Sequence, residues 1–264
     1  MENEIKITQK ATVGDGTTQI GVQNNFLGIT SEKASELAIK LFMENFPKLQ
    51  EEARMVTKER AEELCKGIIE KLKEDGKTDF CEFADPDIQY VLNKSEQIYA
   101  RFGTDRLYNL LRELIINRVN YNDDYYIKII LDDAINIAKS LSEADLNYIS
   151  LIFLCKHTKI YSIDSIEKLK EHCNKICSQL PVPNDIIKRI PFLNMLRLLT
   201  ISLGNAAEVY SRKYNFDIDK VKEILPLEME SIHGDYSLTP VGVIIAIINI
   251  NNKTNLKIEL KEFI

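Results

Sequence analysis

From Ser31 onward, apolar residues return every three or four positions, and that period commits most of this 264-residue chain to helix. Ala34, Leu37, Ala38, Leu41 and Phe42 make one stripe. Beyond Pro47 it continues through Leu49, Ala53, Val56, Leu64, Cys65, Ile68, Ile69 and Leu72, and Gly76 closes it. Intermixed Glu, Lys and Arg fill the remaining faces. The spacing predicts one long amphipathic helix over 31–76, or two joined at Pro47. Its apolar seam suits either the body of the same chain or another copy.

The rest of the chain, 80–264, reads as a helical bundle. Asp85-Pro86 is a helix start, an N-cap followed by proline in the first turn. That helix presents Ile88, Val91, Leu92 and Ile98 inward and stops at Gly103. Thr104 caps the next, with Leu107, Leu110, Leu111, Leu114 and Ile115 inward. Further helices are expected over 123–141, 142–159, 165–180, 185–214 and 217–232. Ser142 opens a capping-box-like stretch with Asp145 three residues on. Pro181 and Pro183 mark a stiff loop. Thr239-Pro240 starts a short, very apolar helix carrying Val241, Ile244, Ile245 and Ile248, which Asn251-Asn252 ends.

Both ends switch to a two-residue period. Ile5, Ile7, Ala11 and Val13 alternate with polar neighbours, Asp15-Gly16 signals a tight reversal, and Ile20, Val22 and Phe26 share one face. Residues 1–30 are therefore expected to form a β-prone arm. Leu256, Ile258 and Leu260 alternate with Lys and Glu, which predicts a closing strand. The expected fold class is mainly α: a bundle with a long N-terminal helix and a small β element made by the N-terminal hairpin and the C-terminal strand.

Composition excludes several classes. A formal charge of −6 argues against a general nucleic-acid binder, so a nucleic-acid partner is not expected. The five cysteines are too scattered for a disulfide framework, and free cytosolic thiols are the better reading. The first residues lack an apolar signal core, and the longest apolar runs, 241–250 and 190–203, are too short or interrupted (by Arg197) for the roughly 20 residues of a membrane span. A cytoplasmic protein without a membrane partner is expected.

No residue set points to an enzyme. Glycine-rich phosphate loops, nucleophile elbows and His-Glu-x-x-His are absent from the sequence. Cys173 and Cys177 lie one helical turn apart beside His172, with Cys155 and His157 as further candidates for a zinc set. The same cysteines also complete an apolar stripe with Leu169, Ile176 and Leu180, and that reading is preferred: no metal and no cofactor are expected. Asp123-Asp124 and Asp132-Asp133 are adjacent, so on a helix they diverge; they are expected to be solvated surface or first-turn acids.

The sharpest local feature is Gln19-Ile20-Gly21-Val22-Gln23-Asn24-Asn25-Phe26. Its Gln-Ile-Gly-x-x-Asn-x-Phe pattern resembles the core of RIP homotypic interaction motifs and related fungal and bacterial amyloid signalling motifs. The resemblance implies in-register cross-β stacking, with Gln19 and Asn24 as amide ladders, Ile20 and Val22 as a dry zipper, Gly21 permitting close approach, and Phe26 as the large apolar position. Thr18 departs from the β-branched apolar residue usual before the glutamine. The simple alternative is a hairpin docked on its own body.

A longer stretch carries a second resemblance. Asp85-Pro86-Asp87-Ile88-Gln89-Tyr90, Tyr99-Ala100-Arg101-Phe102-Gly103, Leu107 to Arg118, Ile130-Leu131-Asp132-Asp133-Ala134 and Leu238-Thr239-Pro240-Val241-Gly242 look like a bacterial family of unassigned function. Its helical module is also similar to uncharacterised domains of prokaryotic antiviral systems. Together these imply a non-enzymatic interaction protein: an oligomeric adaptor or sensor of bacterial antiviral defence, partnered by itself or by another protein bearing a similar motif. The alternative is a helical module that binds a protein, peptide or nucleic acid, with a purely structural hairpin.

Overall fold

The computed structural model describes residues 31–202, 204–232 and 236–264; the expected N-terminal hairpin lies outside them. The chain divides into two units, Met1–Glu51 and Glu52–Ile264. The described part of the first is the opening of helix α1 (Ser31–Glu74), which contains Pro47 in its interior, so a single helix replaces the pair joined at that proline.

The second unit is a mainly α bundle. After the end of α1 come α2 (Pro86–Phe102), α3 (Asp105–Asn120), α4 (Tyr125–Ala138), α5 (Glu143–His157), α6 (Ile166–Gln179), α7 (Ile190–Met195), α8 (Ala206–Tyr214), α9 (Ile218–Ile224), α10 (Leu227–Glu230) and α11 (Pro240–Lys253). Side-chain caps set most starts by satisfying N–H groups that a helix leaves unpaired. Asp85 accepts from the Asp87 N–H and Thr104 from that of Leu107. Ser142 and Asp145 cap each other reciprocally at α5, as Asn205 and Glu208 do at α8. Gly103 ends α2 in the left-handed conformation, where a side chain would be strained.

Helices α5 and α11 pack against each other at the centre. From Leu146 to Cys155 every residue of α5 is buried, and from Gly242 to Ile250 every residue of α11 is too. A helix apolar on all sides belongs in the middle of a bundle. Around this pair stand α3 and α4, and the end of α1 adds Leu64, Ile68 and Leu72 to the same core. Gly67 lets α1 approach α3, since a Cβ there would overlap the Tyr108 hydroxyl. Among the described residues, no helix is long and apolar enough to cross a membrane.

Three expectations need correction. The helix predicted over 185–214 is broken into a 3-10 turn at Ile186–Arg189, α7, strand β1 (Leu199–Ile201) and α8. Arg197 turns left-handed with φ 57°, Gly204 follows with φ 93°, and the β-branched Thr200 and Ile201 find a partner strand. The helix predicted over 217–232 stops at Ile224, because Pro226 drives Leu225 into extended geometry before α10 begins.

The closing strand is also absent. Among the described residues the small β element is an antiparallel ribbon of β1 with β2 (Tyr236–Leu238), pairing Leu199 with Leu238 and Ile201 with Tyr236. Near the end, the Asn251 side chain accepts from the Ile258 N–H at 2.9 Å and donates to its carbonyl at 2.9 Å. One amide thus serves Ile258 as a neighbouring strand would, and the alternating segment buries Leu260 without a ladder.

Candidate functional site

The self-assembly residues named from sequence, Gln19, Ile20, Gly21, Val22, Asn24 and Phe26, lie outside the described residues. The thiols do come together. Cys155 of α5 and Cys173 and Cys177 of α6 are buried around Tyr210 of α8, whose hydroxyl sits beside Cys155 and Cys173 but makes no hydrogen bond of ordinary geometry. Burial pushes the thiol of Cys155 up to about 11 and those of Cys173 and Cys177 to about 12, so all three are protonated, inert groups. His157 bonds Ser237 Oγ at 2.9 Å and stacks on Phe153. Among the described residues, no group of three or more His, Cys, Asp or Glu is placed to hold a metal ion.

A charged cluster joins the ends of α2, α3 and α4. Arg118 is fully buried and donates to Asp132 Oδ1 at 2.8 Å, to Asn122 Oδ1 at 2.7 Å, and to Asp87. Lys128 also pairs with Asp87, and Asn122 reaches Asp85 at 3.3 Å. The Lys128 contact, aided by Arg118 and opposed by burial, holds the Asp87 carboxyl below the usual range. Burial raises that of Asp132 despite Arg118. Asp132 is therefore half-buried and bonded rather than the solvated residue its doublet suggested, while Asp133 is exposed. The cluster spans the stretches that carry the second sequence resemblance. Its missed member was Arg118, which sits four and seven residues past Leu114 and Leu111 on an inward stripe, a visible sign that a cation is buried.

A second polar network threads the central helices. Asn249 of α11 donates to Ser150 Oγ at 2.9 Å and Asn147 Oδ1 at 3.3 Å, and Asn147 donates to the Pro181 carbonyl at 2.9 Å. Lys253 reaches Asn147 and pairs with Glu143. Nearby, the buried Asp145 takes a two-pronged contact from Arg189, at 3.0 and 2.7 Å. Burial pushes the Asp145 carboxyl up, but Arg189 and the Ser142 N–H and hydroxyl outweigh it and hold it low.

The described part of the first unit has a different surface. Leu37, Ile39, Leu41, Met43, Phe46 and Leu49 of α1 are each between 46% and 64% exposed. Soluble monomers rarely leave so many neighbouring large apolar side chains in water.

A family model, that of an uncharacterised family, matches residues 28–233. No curated protein and no solved structure matches the chain.

Proposed function

The chain belongs to the uncharacterised family whose model spans residues 28–233, and from that premise we propose that it is a non-enzymatic interaction protein that works by self-association. The observation that carries this reading is the exposed apolar run of α1. Ile39, Phe42, Phe46 and Leu49 are spaced three, four and three residues apart, and in the sequence the spacing runs on through Ala53 and Val56. That is the a/d seam of a coiled coil, whose natural occupant is the same seam on a second copy.

The finer assignment is an adaptor or sensor of bacterial antiviral defence. In it, α1 pairs chains, the Gln19–Phe26 motif stacks the pairs into larger assemblies, and the helical body receives the signal. The support is the two sequence resemblances together with the α1 surface. Sedimentation at tens of micromolar tests the pairing: wild type is expected as a dimer or larger, and Ile39→Glu with Leu49→Glu as a folded monomer. A monomeric wild type would end the proposal. Replacing Ile20 and Gly21 separates the two stages, since it should abolish thioflavin-positive assemblies and leave the pairing intact.

A further inference from the structure

Helices α3, α5 and α11 enclose a cavity of about 250 Å³, walled by Asp105, Arg106 and Asn109 from α3, Glu143 from α5, and Asn249 and Asn252 from α11, with Lys253 at its side. It belongs to the second unit and owes nothing to the α1 surface. Several of its polar side chains have no hydrogen-bond partner among the described residues.

Asn249 is only 5% exposed, yet both its hydrogen bonds are donated by Nδ2, to Ser150 and Asn147. Its Oδ1 therefore accepts nothing from the described residues, at the wall of the cavity. Among the described residues the Tyr210 hydroxyl is the one buried side-chain polar atom without a partner, so the Asn249 oxygen is reached by solvent and is an acceptor open to a ligand. Arg106 is half-buried and spends one N–H on the Ala138 carbonyl at 3.1 Å; among the described residues no carboxylate pairs with it. Burial lowers its pKa, and the nearby Asp145 and Glu143 carboxylates offset only part of that. Asn109 and Asn252, both exposed, add two amides whose side chains make no hydrogen bond among the described residues. Lys253, by contrast, is engaged by Glu143 and Asn147.

These groups sort by chemistry. A desolvated guanidinium with free donors recognises an oxyanion. Amides that both donate and accept match the edge of a nucleobase, as asparagine does with adenine. The Asp105 carboxylate accepts from hydroxyls, the role an acidic side chain takes toward a ribose. We propose that this cavity binds a nucleoside monophosphate, its phosphate on Arg106, its ribose against Asp105 and its base edge across Asn109, Asn249 and Asn252. The volume, just under the range of about 300–1,000 Å³ usual for small-molecule sites, suits one compact nucleotide rather than a polymer. An amino acid would use Arg106 and Asp105 but leave the three amides unanswered, and inorganic phosphate would use Arg106 alone.

Isothermal titration of the full chain with AMP, GMP, CMP and UMP, and separately with inorganic phosphate and glutamate, tests the assignment. At least one nucleotide is expected to bind saturably and about a hundredfold more tightly than phosphate or glutamate, because each additional well-placed hydrogen bond strengthens binding. Arg106→Gln and Asn252→Ala should each weaken that nucleotide by about tenfold or more. Asn252 is exposed, so its variant should fold normally even if loss of the Ala138 contact unfolds the Arg106 variant. The proposal is overturned if no nucleotide binds, if phosphate or glutamate binds equally well, or if Asn252→Ala binds like wild type.

Discussion

Replacing Arg118 with methionine keeps the aliphatic volume of the side chain and removes the charge that joins α2, α3 and α4. Breaking a buried ion pair by deleting one partner costs about 3–5 kcal/mol when the stranded charge stays buried. Here the stranded carboxylates reach water, since the side chains of Asp87 and Asp132 are 40% and 34% exposed, and Lys128 still neutralises Asp87. Discounting for that access leaves about 2–3 kcal/mol. For a chain of this size the melting temperature should fall by about 5–10 °C. Urea denaturation is the assay, with a lower midpoint expected at unchanged slope. The pH dependence follows from the burial that already raises the Asp132 carboxyl. Without Arg118 it rises further, so the folded variant takes up a proton more readily than its unfolded chain. The deficit should therefore be largest near neutrality and shrink as pH falls toward the ordinary aspartate range of about 4. Adding Asp132→Asn should recover part of the loss. A loss below about 0.5 kcal/mol at neutral pH, the scale of an ordinary surface change, would refute the view that Arg118 holds three helices together.

Ile245 is fully buried in α11, so Ile245→Ala should cost about 2–5 kcal/mol in urea denaturation. Burial, with Lys213 and Lys156 nearby, depresses the His157 imidazole, and burial with Lys175 and Lys213 depresses that of His172. Both are neutral in the fold while the unfolded chain protonates near its ordinary value of about 6.5, so stability should fall as pH drops below that value, and less steeply in His157→Gln. Cys81 is the exposed thiol, and Cys155, Cys173 and Cys177 are buried; a maleimide should label Cys81 in native protein and those three only on unfolding.

Helix starts were legible because a cap is a local contract between one side chain and an N–H two or three residues on. Asp85, Thr104, Ser142 and Thr239 all cap where their residue types suggested. The central position of α11 was also readable from the apolar run 241–250, which Asn249 alone interrupts. What escaped depends on distant partners. A three-residue strand such as Leu199–Ile201 is decided by Tyr236–Leu238, and nothing within the segment announces the pairing. Leu256, Ile258 and Leu260 carry a strand period, yet the Asn251 amide answers Ile258 first. The Arg118 cluster draws on three helices, and the cavity beside Arg106 on three, so the partners of neither are visible along the chain. Asn249, a single polar residue in the apolar run 241–250, was the one readable trace of the latter.

The β1–β2 ribbon has a consequence for how this fold tolerates change. Leu199 lies opposite Leu238, the Thr239 N–H donates to the Leu198 carbonyl at 3.0 Å, and the Thr239 hydroxyl donates to the Arg197 carbonyl at 2.7 Å. A Cβ on Gly242 would meet that Leu198 carbonyl at 2.5 Å. The chain thus departs and returns through a single doorway, and everything between Ile201 and Tyr236 is an excursion whose two ends are held at a constant separation. Lengthening a connection inside such an excursion leaves α11 where it is, and each doubling of a flexible loop costs only about 0.6 kcal/mol. The doorway has no such latitude: Leu198, Thr239 and Gly242 meet through backbone atoms, and the Thr239 hydroxyl holds the Arg197 carbonyl. Within this part of the chain, relatives that differ in length should differ inside the excursion, and the residues of the doorway should keep their spacing.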